Sequence, residues 1–203
     1  MTVALQTPMN APTPDLSVRA MDNLRFIRET MERAGSFTAV PGWGGVAMGL
    51  TALGAAAFAA SSSAEGHWLR VWLAEAVVGA AIGGVAMWRK ARRGQTSLLS
   101  APARKFLLAY LPAIVIGAVL TAALSRTNAG GLLPAVWLLC YGAAVTTGGA
   151  MSVPVVPLMG LCFMLDGIAA AIAPVSWRDP LLALGFGGFH IAFGFIIARR
   201  HGG

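Results

Sequence analysis

Residues 106–125 read FLLAYLPAIVIGAVLTAALS, an uncharged stretch that begins directly after Arg104 and Lys105 and ends directly before Arg126. An α-helix rises about 1.5 Å per residue, so about 20 apolar residues are needed to cross the hydrocarbon core of a bilayer. The stretch has this length and composition. It therefore predicts a membrane-spanning helix, and similar stretches occur along the chain.

The composition of the whole chain indicates the same class of protein. Of its 203 residues, 57% are hydrophobic and 11% are charged, whereas soluble domains are about 45–50% apolar and about 25% charged. So few charged side chains could not cover the surface of a soluble domain, and so apolar a chain would not stay disordered. Cys140 and Cys162 both lie in apolar runs, so no disulfide framework is expected. Among the classes of protein considered, only a polytopic membrane protein fits this composition.

The apolar stretches predict the fold. We expect an all-α membrane protein with six transmembrane helices preceded by an amphipathic cytoplasmic helix, and with its transmembrane domain over residues 36–203. The fourth and fifth spans follow each other so closely that they predict a tight helical hairpin. The predicted spans cover about residues 39–60, 68–88, 106–125, 132–151, 153–174 and 180–198.

The N-terminal segment differs from the rest of the chain. Residues 1–15 are polar and contain proline, which predicts a flexible tail. Residues 16–35 predict an amphipathic helix, because Leu24, Ile27 and Met31 recur at helical spacing between charged residues. This helix is too charged to span a bilayer. It is expected on the membrane surface or against the cytoplasmic face of the protein itself.

The basic residues predict the orientation. If the N-terminus is cytoplasmic, only Arg70, Arg126 and Arg178 fall on the outer side, and the other twelve of the 15 Lys and Arg residues fall on the inner side. Short cytoplasmic loops carry such an excess of positive charge. Both termini are therefore expected in the cytoplasm, with residues 89–105 as the main cytoplasmic loop.

Three ionisable residues are predicted at membrane depth: Glu75, Asp166 and His190. Counting along each helix places all three on the order of 10–15 Å below the outer surface. Such groups are costly in a bilayer unless paired or hydrated, and they often mark an ion or proton path. Two acids and a histidine at one level could share protons or hold a cation. The alternative is that each forms an interhelical hydrogen bond that stabilises the bundle.

Small residues predict where helices pack closely. Glu75 shares one helix face with two glycines, and His190 lies in a similar stripe near the C-terminus. Glycine faces allow close backbone approach in membranes, so a homodimer is possible, although the same faces could be used within one chain. The candidate packing residues are Gly45, Gly49, Gly79, Gly83, Gly187 and Gly194.

Residues 26–45 read FIRETMERAGSFTAVPGWGG. This stretch resembles the segment that leads into the first span in a group of bacterial six-helix inner-membrane proteins. The resemblance implies a multi-pass protein of the bacterial inner membrane with a cytoplasmic helix before its first span. It implies no activity and no functional residues.

No catalytic, metal or cofactor site is predicted. The chain contains no paired His, Cys or Glu spacing typical of a metal centre and no nucleotide-binding motif, and only one histidine is deep enough for haem. The basic loop is too short to predict nucleic-acid binding. We therefore expect a small transporter or channel with an acid/histidine site. The alternative is a non-enzymatic anchor or sensor that relays to a cytoplasmic protein partner.

Overall fold

The computed structural model describes residues 16–35, 37–61, 66–95 and 97–201, and these form helices and turns without any strand. This confirms the predicted all-α fold. In the described residues the helices are α1 (Leu16–Ala34), α2 (Gly42–Ala60), α3 (His67–Arg93), α4 (Ala101–Leu124), α5 (Leu133–Gly149), α6 (Val155–Ile172) and α7 (Val175–His201).

Six of these helices, α2 to α7, are long and apolar enough to cross a membrane, so the chain is a multi-pass membrane protein. α3 continues to Arg93, beyond the predicted end at residue 88, because its last turn is basic and cations are favourable at a helix C-terminus. α4 begins at Ala101, before the predicted residue 106, with a proline in its first turn.

α1 belongs to a separate compact unit, Met1–Gly35, while the spanning helices belong to Ser36–Gly203. Its apolar residues Met21, Leu24 and Met31 are exposed, as expected for the apolar face of an amphipathic helix. The predicted tail over residues 1–15 lies outside the described residues.

The six spanning helices have two ends. The basic end carries the C-terminus of α3, the N-terminus of α4 and the C-terminus of α7, and the opposite end carries the C-terminus of α2 and the N-terminus of α7. At the basic end, Ser152 Oγ donates to Phe37 O over 2.6 Å, and Lys90 Nζ donates to Val40 O and His201 O, each over 2.9 Å. These bonds connect residues 37–41, which precede α2, to the turn after α5 and to the C-terminal ends of α3 and α7.

The helices pack as a chain of neighbours rather than a closed ring. α6 packs along α5, α4 packs on α5, and α2 packs on both α3 and α7. In the part of the chain that the structure describes, α3 and α4 do not pack closely against each other. The bundle is therefore split along one side, between the two helices that residues 94–100 connect.

Glycines bring α2 and α7 into backbone contact. A Cβ added to Gly49 would lie 2.6 Å from Gly187 O, and one added to Gly194 would lie 2.8 Å from Gly42 O. Four of the predicted packing glycines, Gly45, Gly49, Gly187 and Gly194, lie in this contact within one chain. The other two, Gly79 and Gly83, face the flexible side chain of Met48 instead.

α7 is not a uniform α-helix. Its residues Ala183–Phe189 form a π-helical segment, which has one more residue per hydrogen-bonded turn than an α-helix. Gly185, in this segment, contacts Leu138 and would place a Cβ 2.8 Å from Asp166 Oδ2. The glycine therefore lets α7 approach α5 and α6 at the point where the buried acid lies.

Candidate functional site

A cavity of about 310 Å³ lies among α2, α3, α4, α5 and α7. Most of its wall is apolar or aromatic, which is typical of sites for small molecules. The side chains that bring a polar atom to the wall are Trp72, Glu75, Tyr110, Thr121, Trp137, Cys140, Tyr141 and His190.

Glu75 is the acidic residue in the described wall of this cavity. The Thr51 hydroxyl, on α2, donates to Glu75 Oε1 over 2.8 Å. A Cβ added to Gly79, one turn along α3, would still lie 3.8 Å from that oxygen. The carboxyl group is therefore not crowded from the side of Gly79.

His190 lies in the wall on α7 and is only 4% exposed. Its Nδ1 lies 3.0 Å from Phe186 O, and its Nε2 lies 2.7 Å from Tyr141 Oη. A carbonyl oxygen only accepts hydrogen bonds, so Nδ1 carries the proton and donates. If the ring is neutral, the Tyr141 hydroxyl donates to Nε2, and both ring nitrogens are satisfied.

Asp166 does not lie in the described wall of the cavity. It is 6% exposed, and neither of its carboxyl oxygens has a hydrogen-bond partner among the described residues. Phe163, one turn before it on α6, packs on the His190 ring with centroids 5.3 Å apart. The structure therefore brings Glu75 and His190 into one cavity and places Asp166 against Gly185, outside that cavity.

Indole rings cover the cavity toward the opposite end. Trp68 stacks on Trp137 with centroids 5.3 Å apart, and Trp137 Nε1 donates to Thr121 Oγ1 over 2.7 Å. Asp179 Oδ1 accepts from Trp68 Nε1 at 2.6 Å and from Trp72 Nε1 at 3.4 Å. We call Trp68, Trp72, Trp137 and Asp179 the indole cap.

The sequence alone does not predict the indole cap. Trp68 and Trp72 are one helical turn apart, which places them on one face of α3. Nothing local pairs them with Asp179, which lies more than 100 residues further along the chain. The one available signal is an acid at the start of the last span, where an indole N–H could be its partner.

A second aromatic cluster lies between the cavity and the basic end. Phe106 packs on Phe37 and on Tyr110, with centroids 4.9 Å and 5.8 Å apart, and Tyr110 lines the cavity. Phe37 and Phe106 are both buried. We call Phe37, Phe106 and Tyr110 the aromatic plug.

The side of the cavity between α3 and α4 is open. Leu73, Ala76 and Ala80 of α3 line the cavity and are also exposed, as is Ala118 of α4. The two helices do not pack closely against each other over the described residues, so no close helix–helix contact closes this side. Because these exposed residues are apolar and lie within spanning segments, the opening faces the hydrocarbon region of a bilayer.

No group of three or more His, Cys, Asp or Glu residues among those the structure describes is arranged to hold a metal ion. No protein-family model, curated protein or solved structure matches the chain.

Proposed function

We propose that the protein is a small transporter or other permeation protein whose binding site is the cavity lined by Glu75 and His190. The observation that carries the proposal is that an acid and a histidine at membrane depth border the same cavity. Ionisable groups in spanning helices are functional candidates by default. A preformed cavity of this size with a few polar groups is the usual form of a small-molecule site.

The two aromatic clusters support this proposal because each stands between the cavity and one end of the bundle. A substrate that left toward the opposite end would have to displace the indole cap. One that left toward the basic end would have to displace the aromatic plug. Each cluster is held by specific contacts that a conformational change could break, which is the property required of a gate.

The proposed setting is the bacterial inner membrane, with the basic end in the cytoplasm. The positive charge of residues 89–105 and of the last turn of α7 supports this orientation. Asp166 has no place in the proposed binding site, since it lies outside the cavity wall. A role for it in a proton path remains a prediction from the sequence.

Flux measurements in proteoliposomes test the function. We expect the wild-type protein to conduct protons or small cations along an imposed gradient, and Glu75→Gln to lower the rate by about tenfold or more. Asp22→Asn, which removes one carboxylate from the exposed face of α1, serves as the control. Wild-type flux in the folded Glu75→Gln, His190→Gln double variant would exclude the cavity as the transport site.

A second candidate function is a membrane anchor or sensor that relays to a cytoplasmic protein. It is supported by the exposed apolar side chains of α1, which could bind a partner or the membrane surface. If this function is correct, deletion of residues 1–34 should abolish co-purification of a soluble partner. The same set of proteins co-purifying with both forms would count against it.

A further inference from the structure

The charge of the cavity wall selects for a cation. Glu75 is the one acidic side chain in the described wall, and no Lys or Arg lies there to neutralise it. In its neutral form, which its two hydrogen bonds fit, His190 contributes no positive charge. Thr51 stabilises one carboxyl oxygen but supplies no counter-charge. A ligand with a positive charge would supply the counter-charge for Glu75 that the wall lacks.

The aromatic rings of the wall favour the same type of ligand. Trp72, Trp137, Tyr110, Tyr141 and Phe186 all border the cavity that contains the carboxyl group. The faces of such rings attract cations, and the attraction is stronger when the cation is removed from water. A cavity lined by a carboxylate and by aromatic rings suits an ammonium or phosphonium group that itself carries apolar substituents.

The opening of the cavity indicates the route of access. Its exposed border is formed by Leu73, Ala76 and Ala80 on one side and Ala118 on the other, and it contains no charged residue. Beyond it lie the exposed apolar residues Val77 and Val115. A strongly hydrated ion would have no polar path through this border. A molecule already dissolved in the bilayer could pass through this apolar border.

We propose that the cavity binds a lipophilic cation, which enters sideways from the bilayer between α3 and α4 and pairs with the Glu75 carboxylate. This proposal rests on the proposed function for the location of the site, and it adds the class of substrate and its route. It requires neither a metal ion nor a covalent step.

Equilibrium binding to the full-length protein in lipid nanodiscs tests the charge requirement. The probe is tetraphenylphosphonium, and tetraphenylborate is an anion of matching shape. We expect saturable binding of the cation above protein-free nanodiscs, with no saturable binding of the anion. Glu75→Gln should weaken binding of the cation by about tenfold or more, while Asp22→Asn should leave it unchanged.

A pair of neighbouring substitutions tests the route. Ala118→Trp places a large side chain at the border of the opening, so it should slow or abolish binding of tetraphenylphosphonium. Val119→Trp is the matched control, because Val119 is 62% exposed and does not line the cavity. Equal association rates in the two folded variants would exclude the α3–α4 opening as the route.

The outcomes separate this proposal from the proposed function. If the cation does not bind, or binds equally to wild type and folded Glu75→Gln, the substrate class is wrong, even where proton flux still depends on Glu75. Equal binding of the anion would also overturn it. If Glu75-dependent binding occurs without any flux in proteoliposomes, the lipophilic-cation site stands and the transport function does not.

Discussion

The hydroxyl oxygen of Tyr141 lies 2.7 Å from Nε2 of His190, at the wall of a cavity that also contains the Glu75 carboxyl group. The bond joins α5 to α7 inside the bundle. The tautomer of the neutral ring is set at the other nitrogen, because Nδ1 donates to Phe186 O, which only accepts. Tyr141 therefore links the two helices through His190, while the Phe186 carbonyl selects the tautomer.

Nitrogen NMR can test the assignment of this tautomer. In protein with labelled histidine, the His190 signals, identified by their loss in His190→Gln, should show a protonated Nδ1 and an unprotonated Nε2. Tyr141→Phe removes the donor to Nε2, so the Nε2 signal should shift while the Nδ1 signal stays close to its original position. A protonated Nε2 in the wild-type protein would contradict the assignment.

The contact between α2 and α7 predicts opposite effects for two glycine substitutions on α2. In Gly49→Ala the new methyl group meets the backbone of Gly187, so the free energy of unfolding should fall by about 1–3 kcal/mol. Gly54 has no described neighbour within 4 Å of its Cβ position. Gly54→Ala should therefore leave stability unchanged or raise it by up to about 1 kcal/mol. Unfolding titrations with sodium dodecyl sulfate would measure both, and equal losses would contradict the contact.

The buried Asp166 and the partly buried Asp179 should respond differently to truncation. Asp179→Ala leaves the indole N–H groups of Trp68 and Trp72 without their acceptor, so it should lower the free energy of unfolding by about 1–3 kcal/mol. Asp166→Ala removes a carboxyl group that has no described partner. It should change stability by less than about 1 kcal/mol. The same unfolding titrations measure both variants. A larger loss of unfolding free energy in Asp166→Ala than in Asp179→Ala would contradict the view that Asp179, and not Asp166, forms stabilising hydrogen bonds.

The bonds of Lys90 predict a role in joining the basic end. Lys90→Met keeps much of the apolar stem but removes the donors to Val40 O and His201 O. We expect the free energy of unfolding to fall by about 1–3 kcal/mol, because two carbonyl groups lose their donor. Arg93→Met, an exposed change at the end of the same helix, is the control. Indistinguishable thermal unfolding of the two variants in detergent would show that these bonds contribute little.

The sequence was sufficient to predict the number and approximate position of the spanning helices. Hydropathy is a local property, and in a bilayer each spanning segment must satisfy its own backbone hydrogen bonds before it packs. The same counting along helices predicted that Glu75, Asp166 and His190 lie at membrane depth. It could not show which neighbour each residue faces, because that depends on the rotation of every helix in the packed bundle.

The separation of Asp166 from the other two residues illustrates this limit. Depth suggested one shared site, but Phe163 and Gly185 pack between α6 and α7 and leave the acid outside the cavity. The π-helical segment adds to the difficulty. It changes the number of residues per turn just before His190, so a constant helical period does not give the facing of this part of α7.

The sequence by itself determined an all-helical membrane protein with six spans and a few deep polar residues, because apolar length and charge are sufficient to select that fold class. Only the tertiary structure decided that α2 and α7 use their glycines against each other, that Asp179 bonds two indoles, and that the side between α3 and α4 stays open. Each of these depends on contacts between residues far apart in the chain, and those contacts form only when whole helices pack together.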